Sequence, residues 1–133
     1  MYYIRYLMKK NVLKLIKYLY YFSLTSLFIL YLFPGSLLGY FLHGDLATQP
    51  NIVKNPIGTS INHFFFFMYL TILASICNFK QDQIFINFNF IFFISILLEL
   101  THYIIPNRAF EIFDLLANLA GVTIIFLLRR LIK

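Results

Sequence analysis

Six side chains able to do chemistry stand in a chain that is otherwise mostly hydrocarbon: His63, Glu99, His102, Arg108, Asp114 and Asn118. A carboxylate serves as a general base, an imidazole moves protons near neutral pH, a guanidinium grips phosphate or carboxylate, and a carboxamide orients its neighbours. A charge in hydrocarbon is expensive, so each of these groups needs a reason to be there. Glu99 needs one most, because it follows fifteen residues, 84 to 98, that carry no charge. Glu99 and Asp114 are the candidates for catalysis, and all six residues are candidates for binding substrate.

Spacing supports a shared site. Glu99 and His102 are three apart on one helical face, and Glu111, Asp114, Asn118 and Gly121 follow the i, i+3, i+7, i+10 pattern of another. The two faces are expected to point at each other, with Ala117 and Gly121 small enough to let the helices close. Carboxylates persist in low dielectric only when paired, which makes Arg108 the expected partner of Glu99 or Asp114, with His63 or His102 serving the other.

Each residue taken alone also has an ordinary explanation. Arg108 and Glu111 suit a headgroup region, Asp114 suits the first turn of a helix, where the dipole favours an anion, and Asn62-His63 is a common start to an interfacial helix. Glu99-x-x-His102, with His63 and Asp114 beside it, is a metal-binding pattern. Carboxylate-bridged bundles use two such pairs, however, and here there is one, so the sequence assigns no metal and no other cofactor. A nucleophile elbow, a glycine-rich phosphate loop and an H-E-x-x-H helix are absent. Ser95 is a turn from Glu99, but a serine inside an apolar helix usually bonds to its own backbone.

The elements that must position these groups are membrane helices. The 133 residues are 61% hydrophobic and 12% charged, about half the charge of an average soluble chain. Four apolar stretches, roughly 15–33, 61–79, 84–103 and 112–128, are each near the ~20 residues that cross ~30 Å of hydrocarbon. They predict an all-α, polytopic, single-domain bundle of four transmembrane helices. Pro34 and Gly35 end the first, the patch "LLGYFL" follows as a surface segment, and "NFKQDQ" at 78–83 is a tight turn. No small-residue cleavage site follows the first stretch, so it is expected to be an uncleaved anchor.

Positive residues set the orientation. With the N-terminus in the cytoplasm, the inner side holds nine of the eleven lysines and arginines, and the outer side only Lys54 and Arg108. Both termini are therefore expected to be cytoplasmic, with the polar cluster at the extracytoplasmic face. The net charge of +6 flanks apolar segments and forms no basic stripe, which argues for membrane topology and against nucleic acid. Cys77 is alone, so no disulfide or cysteine metal site forms within the chain. Proton translocation would need acidic groups at the opposite face, where the sequence has only Asp82.

The run "ELTHYIIPNRAFEIFDLLANLAGV" resembles the signature of VanZ-like membrane proteins, in which a helix ending in E-x-x-Q leads through P-x-R to a D-x-x-x-N-x-x-G helix start. The matching residues are Glu99, Pro106, Arg108, Asp114, Asn118 and Gly121, and His63-Phe64 matches a histidine-phenylalanine pair early in the family's second helix. The chain departs from the pattern at Thr59-Ser60, where the family usually has Asp-Lys, and at His102, where it usually has glutamine. The resemblance implies a small multi-pass protein of the bacterial cytoplasmic membrane, in a family named for low-level resistance to a glycopeptide. Its partners would be membrane lipids, a lipid-linked cell-wall precursor or another membrane protein. Two functions are expected to compete: a site that binds or acts on an amphiphilic envelope component, and a non-catalytic scaffold whose polar cluster clamps the helices together.

Overall fold

A computed structural model of the chain describes residues 2–48, 58, 60–77 and 84–132. The described residues are helical, without strands: α1 (Tyr2–Leu32), α2 (Leu37–His43), α3 (Ser60–Cys77), α4 (Phe88–Thr101) and α5 (Ile112–Ile132), with a 3-10 turn at Ile84–Ile86. Lys54, Lys80, Asp82 and the expected turn at 78–83 lie outside the described residues.

Three of these helices, α1, α3 and α5, are long and apolar enough to cross a membrane. They turn large apolar side chains outward, among them Phe22, Ile29, Leu116 and Leu127. Such a surface suits acyl chains better than water. α4 is equally apolar but shorter than the expected 84–103. Its 14 residues rise about 21 Å at 1.5 Å each. Asn87 caps it by accepting from the Asn89 N–H at 3.1 Å, so the three residues before the cap form the separate 3-10 turn. Tyr20 Oη holds that turn to α1 by donating to the Phe85 carbonyl. α1 and α5 are longer than expected, because the basic segments at their outer ends continue the helix.

The helices pack around Tyr20, Leu27, Phe67, Leu70, Ile91, Leu98 and Val122, all fully or almost fully buried. α3 and α5 form the most extensive contact, and Gly121 sets its spacing. A Cβ at Gly121 would lie 2.5 Å from the Phe64 carbonyl oxygen and 2.9 Å from the Met68 nitrogen. Both are backbone atoms, which cannot rotate aside.

The expected surface segment after α1 is a short capped helix, most of it exposed. Gly35, at φ +92°, reverses the chain so that the Ser36 N–H meets the Leu46 carbonyl at 2.7 Å. Ser36 Oγ then caps α2, and Gly44 ends it in the left-handed region. The result is a short helix folded back beside the end of α1.

Replacing Gly121 with valine should force α3 and α5 apart, costing about 1–3 kcal/mol. Thermal unfolding in nanodiscs will show this as a melting temperature several degrees below wild type. An unchanged value would mean that the two helices are not in backbone contact there.

Candidate functional site

Four helix ends meet at one level of the bundle. α1 and α4 bring their C-terminal turns and α3 and α5 their N-terminal turns, which is how single polar residues from four apolar helices come together. His63, Glu99, His102, Asp114 and Asn118 are all buried, Glu99 and Asn118 completely.

His63 stands between the two carboxylates. Its Nε2 lies 3.3 Å from Asp114 Oδ2, and its Nδ1 lies 3.9 Å from Glu99 Oε2. A histidine weighted lightly in the sequence, as an interfacial residue ahead of four phenylalanines, is thus the centre of the constellation. The apolar run that made it look incidental packs it into the bundle.

The remaining contacts determine where protons lie. Asn118 Nδ2 donates to the Ser95 carbonyl at 3.3 Å, which leaves Asn118 Oδ1 as an acceptor. Tyr31 Oη donates its only proton to that oxygen at 3.1 Å. The 2.6 Å contact between Tyr31 Oη and His63 Nδ1 therefore needs its proton on the histidine, and His63 is the Nδ1–H donor. Ser60 Oγ donates to Asp114 Oδ1 at 2.5 Å. On the far side of Tyr31, the His102 ring stacks on the phenol at 5.3 Å between centroids. His102 Nδ1 lies 3.2 Å from Glu99 Oε1, and the Glu111 backbone N–H reaches the same oxygen at 3.4 Å.

Arg108 does not form the expected ion pair. Among the described residues no lysine or arginine pairs with Glu99 or Asp114. Instead Arg108 Nη2 donates to the Leu30 carbonyl at 2.6 Å, and Nε to the Phe33 carbonyl at 3.4 Å. The reason is local to α1. The Leu30 carbonyl would ordinarily accept from the residue four positions on, but that residue is Pro34, which has no N–H. Arg108 supplies the missing donor, and its cation also suits the negative end of the α1 dipole. Burial pulls its guanidinium below the ordinary arginine value, while Tyr31, Glu99 and Asp114 push the other way. It stays charged throughout.

Tyr31 and Ser60 were not among the candidates from sequence. Tyr31 was hidden in a tyrosine-rich helix whose other members suit a membrane interface, and Ser60 begins α3 as any capping serine would. Glu111, on the expected polar face of α5, is exposed and contributes only its backbone. Ser95 Oγ donates to the Phe92 carbonyl in its own helix, at 2.7 Å.

Two cavities adjoin the cluster. One, of about 130 Å³, is lined by apolar side chains including Leu27, Leu30, Leu37 and Phe66, with His63 at its wall. The other, of about 170 Å³, is bordered by Asn107, Glu111 and Asp114. Ser36, His102 and Arg108 line both. Comparison with protein-family models, curated proteins and solved structures finds no match to this chain.

The observed pairing makes a double-mutant cycle decisive. Glu99→Gln and Arg108→Gln should couple only weakly, since they share no hydrogen bond or close ion pair and interact only through longer-range charge. His63→Ala and Asp114→Ala should couple strongly, since removing either strands a buried partner at a cost of about 3–5 kcal/mol. Rescue of Glu99→Gln by Arg108→Gln in thermal melts would contradict this assignment. Separately, Tyr31→Phe removes the one hydroxyl between His63 and Asn118 and should cost about 1–3 kcal/mol. Nitrogen NMR of the labelled histidines should also show His63 losing its single Nδ1–H tautomer; an unchanged His63 signal would contradict the relay.

Proposed function

We propose that this chain is a VanZ-like, four-span protein of the bacterial cytoplasmic membrane, with both termini inside, which binds or acts on an amphiphilic component of the envelope at its extracytoplasmic face. The observation that carries the reading is the junction of the two cavities. An apolar space and a polar one share Arg108, His102 and Ser36 in their walls, an arrangement that suits one molecule with an acyl portion and an anionic headgroup. Arg108 holds the phosphate or carboxylate, since two of its N–H groups suffice for the α1 carbonyls and a guanidinium has five. Asp114 borders the polar cavity and is the candidate base toward a bound headgroup, while Glu99 supports it from the buried side.

The directions of the helices support the four-span reading. α4 runs with its C-terminus at the cluster, as α1 does, so α4 and the 3-10 turn before it form the return span between α3 and α5. The excess of lysine and arginine at the opposite end supports a cytoplasmic location for that end.

A second reading has its own support. The Tyr31, His63, Asp114, Ser60 and Asn118 contacts tie α1, α3, α4 and α5 together, as an interhelical clamp in a scaffold subunit would.

Native mass spectrometry of lipid retained by the purified protein separates the two. Leu30→Trp fills the apolar cavity and Arg108→Gln removes the anion contact, and both should lower lipid occupancy at least about tenfold, the scale of one lost charged hydrogen bond. Retention of the same lipid by both folded variants would leave the clamp as the better account.

A further inference from the structure

We infer that His63, Glu99 and Asp114 form a binding site for one divalent transition-metal ion of the zinc or manganese class. The site goes beyond the amphiphile reading and stands whether or not a lipid binds.

The argument is a count of donors and acceptors. Each of the three side chains has one polar atom already engaged by a neighbour. His63 Nδ1–H is held by Tyr31 Oη, Asp114 Oδ1 by the Ser60 hydroxyl, and Glu99 Oε1 by His102 and the Glu111 backbone N–H. The atoms left over are His63 Nε2, Asp114 Oδ2 and Glu99 Oε2. All three are acceptors when the imidazole is neutral; His63 Nε2 lies 3.3 Å from Asp114 Oδ2, and Glu99 Oε2 approaches the same ring, 3.9 Å from its Nδ1. One ligand atom from each residue lies within 4.8 Å of the other two. Glu99 Oε2 is fully buried with no hydrogen-bond partner, a costly condition for a carboxylate oxygen. Three acceptors facing one another call for a cation between them.

Protonation answers the need only in part. A second proton on His63 lets Nε2 donate to Asp114 Oδ2, while Nδ1–H is already held by Tyr31, so the imidazolium answers Glu99 Oε2 by charge at 3.9 Å but gives it no hydrogen bond. A second proton on His102 would be stranded, because His102 Nε2 is buried without an acceptor. Arg108 directs the N–H groups that make hydrogen bonds to the α1 carbonyls. A divalent ion bound by one neutral imidazole and two carboxylates brings the local charge to zero and fills all three positions. The surroundings match what metal ligands require: a ligating histidine donates its other N–H to a fixed acceptor, and ligating carboxylates are themselves hydrogen-bonded. Tyr31, Ser60 and His102 supply these contacts. An imidazole among the ligands favours a transition ion over calcium or magnesium, whose sites are built from oxygen.

The full-length protein in detergent, stripped with chelator and then dialysed against micromolar zinc chloride, should retain about one zinc per chain by inductively coupled plasma mass spectrometry. It should melt several degrees higher than the stripped sample. Cobalt chloride in place of zinc should give visible d–d absorption bands from an N,O-ligated ion. His102→Gln, which alters a supporting group, should keep the metal, whereas Glu99→Gln and Asp114→Asn should lose it. Wild-type protein that keeps less than about a tenth of an equivalent and shows no cobalt bands would overturn the site, with no need of any variant. So would equal retention by folded Glu99→Gln and Asp114→Asn. The lipid measurement is a separate readout, so failure of one proposal leaves the other standing.

Discussion

Two carboxylates sealed from water must have their charge answered, and the rest of this molecule is arranged around that constraint. Glu99 and Asp114 sit on different helices, α4 and α5, and neither has an arginine or lysine beside it among the described residues. Their common neighbour is His63, on a third helix, and the tyrosine that holds His63 is on a fourth. The electrostatic requirement therefore acts as a geometric one. α1, α3, α4 and α5 must end at the same height, because the groups that answer one another sit near the ends of largely apolar helices.

Packing makes this convergence possible. Gly121 lets α3 and α5 approach to backbone contact, which carries Asp114 and Asn118 in to the level of Ser60 and His63. Pro34 stops α1 and leaves a carbonyl without its donor, and the loop between α4 and α5 returns one in Arg108. That exchange joins the end of the first helix to the last loop of the chain, 78 residues away in sequence. Asn107 assists the turn by taking a left-handed conformation at φ 57°, which asparagine tolerates better than most residues.

Much of this was legible from residue types. Apolar run lengths marked the helices, Pro34-Gly35 marked the end of α1, and the positions of Glu99, His102, Asp114 and Asn118 marked the level of the cluster. What could not be read was the wiring. Formal charge suggested that Arg108 would pair with a carboxylate, whereas the orphaned carbonyl created by a proline on another helix claimed it first. The role of Tyr31 was invisible for a related reason, since one tyrosine in a helix full of them is distinguished only by what lies opposite. The shortened α4 reflects a local contest, in which Asn87 caps a helix more readily than it continues one. Each of these outcomes depends on which two distant segments touch, and local periodicity carries no information about that.

The order in which the cluster's members leave the ribosome has a consequence for biogenesis. Tyr31 and His63 arrive with α1 and α3 and Glu99 with α4, but Arg108, which completes α1, and Asp114 and Asn118 come only after α4. Until then His63 lacks its Asp114 partner and the end of α1 lacks its donor. Membrane insertion of the early helices and closure of the site are therefore separate events, and the last helix acts as the keystone of the assembly. A nascent chain stalled before residue 108 keeps the Tyr31–His63 and His102–Glu99 contacts but lacks those made by Arg108, Asp114 and Asn118, which makes it a natural substrate for membrane quality control.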